Sequence, residues 1–352
     1  MGVRLGIIGA GGIGRTHVKA AAAAGVEVVC VADLNADAAQ SLAVSAGADA
    51  VDDPQKLLDS PKVDAVVIGT PNASHKDLTI AAMRAGKDVL VEKPMALCAA
   101  DCRAVNAVAA KTDRILQVGF AFRYTAAAVA ARKFIEAGRL GTIYHAQASW
   151  YRRRGIPGLG GWFTTKKISG GGPLIDLGVH MIDLVMYLMG QPMPKRVSGK
   201  THAQFGRRMR GYVYEGMWGG PPRYDGVCDV EDAAHALIRF EGSATFELNV
   251  TWAGNLPDDM TSHILLMGDK AGLAINPGGS ELRLFGEDQG YNVDVTPKLV
   301  GVQHFEQQTR QFVYNVETRT PPHASGECGQ KVQGVIDAIY ESSKKNQEVG
   351  IG

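Results

Sequence analysis

Apolar residues fall along this chain in two rhythms. Short apolar runs at 3–9, 27–32, 63–69, 88–91 and 115–119 have strand length, and between them the stretches 16–24, 74–85 and 99–110 read as helices. Alternating strands and helices predict βα units and a doubly wound parallel sheet, whose ligands sit beyond the carboxyl ends of the strands. A helix at 123–137 follows. Beyond it, runs at 143–150, 233–240, 244–252, 262–267 and 281–285 alternate as strands and predict a mostly antiparallel sheet, with closing helices at 305–316 and 330–343. The expected chain is α/β in class, with a doubly wound domain at 1–122 and an α+β domain at 123–352.

One stretch combines both kinds of signal. At 170–190, Leu174, Leu177, Met181, Leu184 and Leu188 form one core stripe, and Ile175, Val179, Ile182, Val185 and Met186 are apolar as well. Pro173 suits a first turn, and Gly190 with Pro192 suits a stop, so a helix of about four turns is expected, buried on most sides. Asp176, His180 and Asp183 nevertheless run along it as a polar stripe. Buried ionisable groups need partners or a job.

Composition narrows the field. The chain has 352 residues, 45% hydrophobic and 21% charged, and its 37 Lys plus Arg nearly balance 36 Asp plus Glu. That balance gives no electrostatic case for nucleic acid or an anionic membrane. No apolar run reaches the roughly 18 residues of a membrane helix, and the N-terminus enters a strand pattern directly. Five scattered cysteines fit reduced thiols, and a cytoplasmic location is expected. Cys98 and Cys102 could share a helix face but have no third and fourth ligand nearby, so no metal site is expected.

The first strand ends in Gly9-Ala-Gly-Gly-Ile-Gly14, a G-x-G-x-x-G with a strand before it and a helix after. Gly9 permits the tight turn, Gly11 lets backbone approach a pyrophosphate, Gly14 lets helix and strand pack closely, and Gly12 and Ile13 complete the loop. The second strand ends at Asp33, about twenty positions beyond Gly14, where a carboxylate accepts from the adenine-ribose hydroxyls and repels a 2′-phosphate. Leu34 and Asn35 follow, with no Arg to hold that phosphate, so NAD is favoured over NADP.

Two further strand ends are polar: Thr70-Pro71-Asn72-Ala-Ser-His75 and Glu92-Lys93-Pro94. With these motifs, Ile135-Glu-Ala-Gly-Arg-Leu-Gly-Thr-Ile143 and Gly170-Gly-Gly-Pro-Leu-Ile-Asp176-Leu-Gly-Val-His180, the chain resembles the Gfo/Idh/MocA family of oxidoreductases over almost its whole length. The resemblance implies an N-terminal Rossmann domain and a C-terminal α+β domain whose large open sheet builds homodimers or homotetramers. It puts Lys93, Asp176 and His180 at catalytic positions, and Thr70, Pro71, Asn72, His75 and Glu92, with Lys93, against the cofactor. Chemistry agrees. Oxidising a secondary alcohol with NAD requires a base near working pH and a donor to the alcohol oxygen; His180 suits the first role and Lys93 the second, with Asp176 orienting the imidazole or bonding another hydroxyl.

The partner expected is a sugar, cyclitol or glycoside. Tyr151 to Phe163 is a loop rich in aromatic and cationic groups, which suit a polyhydroxylated ring; the plain alternative is a surface loop with Arg152 to Arg154 solvated. Arg123, Tyr124, Tyr151, Arg153 and Trp162 are the candidate substrate contacts. Residues 200–224 read first as a subunit arm, with a substrate lid or an exposed insertion close behind. A different class also remains open, a glycoside hydrolase or lyase that retains NAD through a transient redox cycle.

Overall fold

The structure is a computed structural model that describes residues 2–352. The first apolar run becomes β1 (Leu5–Ile8), buried throughout, and leads into α1 (Gly12–Ala24). The chain continues through β2 (Val28–Ala32), α2 (Ala36–Ala46), β3 (Asp49–Val51), α3 (Pro54–Leu58), β4 (Ala65–Ile68), α4 (His75–Arg84), β5 (Asp88–Val91), α5 (Ala99–Thr112) and β6 (Leu116–Val118). These strands form a six-stranded sheet in the order β3-β2-β1-β4-β5-β6, every pair parallel. The reversal of strand order beside β1 is where a doubly wound sheet opens a crevice at its carboxyl edge. Elements α2, β3 and α3 fill a stretch from which the apolar pattern predicts nothing. Asn35 starts α2 by accepting from Ala38 N, and Asp53 starts α3 by accepting from Gln55 N.

After α6 (Ala126–Glu136), capped by Thr125, come β7 (Ile143–Arg152), α7 (Lys166–Ser169) and α8 (Val179–Leu188). Then follow β8 (Pro194–His202), β9 (Ala233–Phe240), β10 (Thr245–Thr251), β11 (Met260–Gly268), β12 (Ala271–Ile275), β13 (Leu282–Asp288) and β14 (Tyr291–Val295). The chain ends in α9 (His304–Thr318), α10 (Gly326–Lys345) and β15 (Val349–Gly350). The second sheet has nine strands, β14-β13-β12-β11-β7-β10-β9-β8-β15, antiparallel except where β10 meets β7. Along β10, Phe246, Leu248 and Val250 are buried, whereas Thr245, Glu247 and Asn249 on the other face are half-buried.

The chain divides differently from the expected boundary. One compact unit comprises 1–121 with 303–333, and the other 122–302 with 334–352. The segment 303–333, expected in the second domain, completes the first. Phe312 of α9 is fully buried in the cluster formed by Leu5, Ile7, Val31, Val67 and Leu90, each such side chain contributing about 1.5–3 kcal/mol on burial. Val118 N donates to Ala324 O (2.8 Å), Arg319 pairs with Asp88 (2.8 Å), and Arg310 donates to the last carbonyls of α1.

The expected single helix at 173–190 is two pieces in register. Leu174–Gly178 is a π-helical turn, and α8 follows directly. By length and composition the segment Lys166–Leu188 would suffice to cross a membrane, which the apolar-run criterion did not pick out; 89% of its most apolar window is buried inside the protein.

Candidate active site

In the first unit, a cradle for a dinucleotide is built from backbone. Gly9 adopts φ +104°, and a Cβ there would lie 2.6 Å from Gly69 O. A Cβ on Gly14 would lie 1.9 Å from Gly9 O, so neither position admits a side chain. In front of Gly11 and Gly12 nothing lies within 4 Å, and no side chain caps the N-terminus of α1, where Ile13 sits in the first turn. Its first amides thus have no side-chain cap, and backbone can be approached closely there, the arrangement that binds pyrophosphate. Asp33, just past β2, ties this loop down: Oδ2 accepts from Ala10 N (2.7 Å) and Oδ1 from Asn35 N (2.8 Å). A carboxylate has lone pairs beyond those two, available to ribose hydroxyls. The residues present fit NAD.

The other strand-end motifs stand beside one another. Thr70 Oγ1 and Ser74 Oγ are 2.6 Å apart, and Asn72 opens the short 3-10 turn Asn72–Ser74 after Pro71. His75 is 1% exposed, with Nδ1 2.7 Å from Pro94 O and Nε2 2.8 Å from Thr70 O. Its imidazole joins the Thr70 loop to the Lys93–Pro94 loop, whose peptide is cis. Burial pulls its pKa down, against two carbonyl contacts that favour the cation. Glu92 is held from behind: His17 Nε2 lies 2.8 Å from Oε1, and Lys93 N donates to Oε2 (3.2 Å). His17 thus supports Glu92, which in turn holds the backbone of Lys93. Its edge contact with Phe305 (5.5 Å) links it to α9.

In the second unit the polar stripe resolves into distinct tasks. Asp183 and Arg123 form a buried bidentate pair, with Nε and Nη2 of Arg123 at 2.9 and 2.6 Å from the carboxylate and the guanidinium 4.7 Å over Tyr187. Burial pushes the Asp183 carboxyl up and Arg123 opposes it. Asp176, in the π-helical turn, accepts from Trp252 Nε1 at Oδ2 (3.0 Å), and Arg152 Nη1 stands 3.7 Å from the same oxygen. Burial lowers the pKa of Arg152 and Asp176 raises it, which leaves the guanidinium charged. His180 lies against Phe122 (4.6 Å between ring centroids) and near Trp150 (6.4 Å). Several buried polar side-chain atoms in this unit have no hydrogen-bond partner among the described residues, Tyr124 Oη, Trp150 Nε1 and Arg152 Nε among them. Trp150 near the imidazole and Arg152 near the carboxylate carry orphaned donors that a polyhydroxylated ligand would satisfy. Burial pushes the Tyr124 phenol well up, so it stays a donor.

Comparison with known proteins decides the family. Residues 3–120 match the model of an oxidoreductase family with an NAD-binding Rossmann fold, and 128–274 match the GFO/IDH/MocA C-terminal domain. The chain is 30% identical over 351 residues to the D-glucoside 3-dehydrogenase of Escherichia coli K12, covering 99% of this chain and 97% of that one. The chain belongs to the Gfo/Idh/MocA family of oxidoreductases. It is also 34% identical over 193 residues to the scyllo-inositol 2-dehydrogenase (NAD(+)) of Bacillus subtilis, about half of each chain. The fold of levoglucosan dehydrogenase, solved in complex with NADH, superposes with a TM-score of 0.88 over all of both chains at 23% identity. The Rossmann sheet, the mostly antiparallel second sheet and NAD as cofactor accord with the sequence reading.

Within this Gfo/Idh/MocA chain, the expected substrate contacts separate. Tyr124 stays among the buried donors, whereas Arg123 is engaged by Asp183. Because β7 continues to Arg152, strict alternation puts Ala146, Ala148, Trp150 and Arg152 on one face and Tyr151 on the other. Arg153 is exposed, and Trp162 stacks on Phe163 (3.6 Å), which meets Trp218 edge-on. Arg152 and Trp252 both reach Asp176, with Trp150 two positions before Arg152. Ending the strand at 150 in the sequence hid the alternation; carried two residues further, it singles out Arg152. Among the described residues no group of three His, Cys, Asp or Glu could hold a metal ion.

Proposed function

We propose that this oxidoreductase removes hydrogen from a secondary hydroxyl of a sugar, cyclitol or glycoside, with His180 as base and Lys93 as donor to the alcohol oxygen. The observation that carries the reading is the Asp176 group: a buried carboxylate held by an indole N–H and a guanidinium, in a unit that also holds orphaned donors and an aromatic-flanked imidazole. When bound, NAD supplies the hydride acceptor. His180 takes the hydroxyl proton, since imidazole titrates near neutral pH. Lys93 stabilises charge developing on the oxygen and relays the proton. Asp176 orients the imidazole or accepts from a neighbouring hydroxyl. Trp150, Arg152 and Tyr124 offer donors to further hydroxyls, and the flat Trp150 ring offers a surface for the C–H face of the sugar.

The relative acting on D-glucosides supports a glycoside or free sugar, and the inositol dehydrogenase supports a cyclitol. Incubation of the protein with NAD and a panel of methyl glycosides, aldoses and inositols tests the reading. Stoichiometric reduced cofactor from one of them is expected. Glycoside cleavage without net reduced cofactor would replace this reading with the retained-NAD hydrolase or lyase. For the cofactor, Asp33→Ala should erode preference for NAD over NADP, and unchanged discrimination would sink the ribose role of Asp33. The half-buried polar face of the nine-stranded sheet is the surface we assign to self-association, as a homodimer or homotetramer, which light scattering would read directly.

A further inference from the structure

The π-helical turn that carries Asp176 is pinned at its start by one buried carboxylate. Oε1 of Glu231 accepts from Gly172 N (2.9 Å), Leu174 N (3.2 Å) and Tyr340 Oη (2.9 Å). Glu231 lies just before β9 and Tyr340 on α10; both side chains are engaged in the interior of the second unit. Two glycines are shaped to this contact. A Cβ on Gly171 would stand 1.8 Å from Tyr340 Oη, and one on Gly172 would stand 2.0 Å from Glu231 O. At the entry to that turn Asp176 N donates to Gly172 O (3.0 Å), a four-residue bond that precedes the wider π repeat. The same short segment also holds the group that meets Asp176 from the other side: Asp232 O accepts from Trp252 N (2.9 Å), and Trp252 Nε1 donates to Asp176 Oδ2 (3.0 Å). Glu231 and Asp232 therefore fix both the backbone beneath Asp176 and the indole that contacts its carboxylate.

We propose that Glu231 and Tyr340 are positioning residues for Asp176, setting the phase of the π-helical turn so that the carboxylate reaches its working place. An α-helical path has a shorter hydrogen-bond repeat than a π turn, so the same residue on an undistorted helix would point elsewhere. Three donors converging on one oxygen make an anionic acceptor the natural partner for the orphan amides at this helix start. A positional error of about 1 Å in a catalytic group can cost on the order of 10²-fold in rate. The inference rests on the proposed catalytic role of Asp176, and its test separates the two.

Glu231→Ala, Glu231→Gln and Tyr340→Phe are made in the intact chain, alone and on Asp176→Asn, and assayed with NAD and methyl glucoside or the panel sugar turned over fastest. Binding of NAD, followed by protein fluorescence, is read alongside. Glu231→Ala and Tyr340→Phe should each lower kcat by about ten-fold or more while NAD binds as before, and Glu231→Gln, which keeps an acceptor oxygen, should recover most of the loss. On Asp176→Asn the further loss should shrink to within about two-fold, because residues acting through one group do not add. Losses that multiply in full on Asp176→Asn, or a glutamine as damaging as alanine, would overturn the positioning role. Should Asp176→Asn itself turn over normally, the catalytic role of Asp176 falls and the proposal falls with it. Tyr340→Phe removes one oxygen only, so it carries the test even where Glu231→Ala fails to fold.

Discussion

The cradle of the first unit is made of main chain, whereas the Asp176 group of the second is made of side chains. Around Gly9 and Gly14 the constraint is absence of a Cβ, with a helix start that no side chain caps and one carboxylate, Asp33, bracing the loop. Around Asp176 the contacts come from long side chains of separate elements, Arg152 from β7 and Trp252 just after β10, and the same unit holds the buried Arg123–Asp183 pair. Backbone recognition is cheap to specify and tolerant of its neighbours. A group of buried charges is neither, since each member removed strands another.

That contrast can be broken at several points. The largest effect should come from Arg123→Met, which leaves Asp183 buried without its guanidinium; a loss of about 3–5 kcal/mol is expected, read as a shift in denaturation midpoint. A shift near zero would show that the pair is dispensable to the second unit. Next, Lys93→Ala and His180→Ala should each reduce kcat by at least about 10²-fold while NAD binding persists. Normal turnover in either would remove that residue from proton transfer. Arg152→Met should lower kcat/KM by about ten-fold or more, from loss of a charged partner to Asp176, while exposed Arg153→Met stays within about two-fold. Equal effects would erase the distinction that strand alternation draws. The smallest effect belongs to Glu348→Gln at the surface. Arg196 and Arg239 hold the Glu348 carboxyl below the usual glutamate value. Its contribution is therefore present above the unfolded-state pKa and lost as pH falls through the lower folded one. Thermal midpoints of the two proteins should differ at neutral pH and converge in acid; a gap that persists in acid would refute the ionic origin.

The same contrast explains what sequence could and could not disclose. Gly9, Gly11 and Gly14 followed by Asp33 announce themselves because backbone geometry dictates residue type at fixed spacing. Lys93, Asp176 and His180 stand in compact motifs, and those motifs are what make them candidates from sequence. Arg152 and Trp252 were not legible this way, because their partner is about 24 and 76 positions away and only the sheet brings them together. Among elements, β8 and β14 escaped notice for a physical reason: β8 buries only Pro194 and Val197, and β14 is an exposed edge whose residues are mostly solvated. The π-helical turn was equally hidden, since the apolar spacing of 174–188 suits an ordinary helix and the feature that marks the turn, Glu231, lies far along the chain.

The return of 303–333 to the first unit bears on how the molecule is made. A ribosome finishes β1 to β6 early, but Phe312, which seals their core, emerges only after nearly the whole second sheet. The nascent cofactor unit must wait with an apolar face uncovered, a state prone to wrong association. Any attempt to express 1–121 alone, or to graft this NAD-binding module onto another protein, has to bring the distant segment along as a second piece.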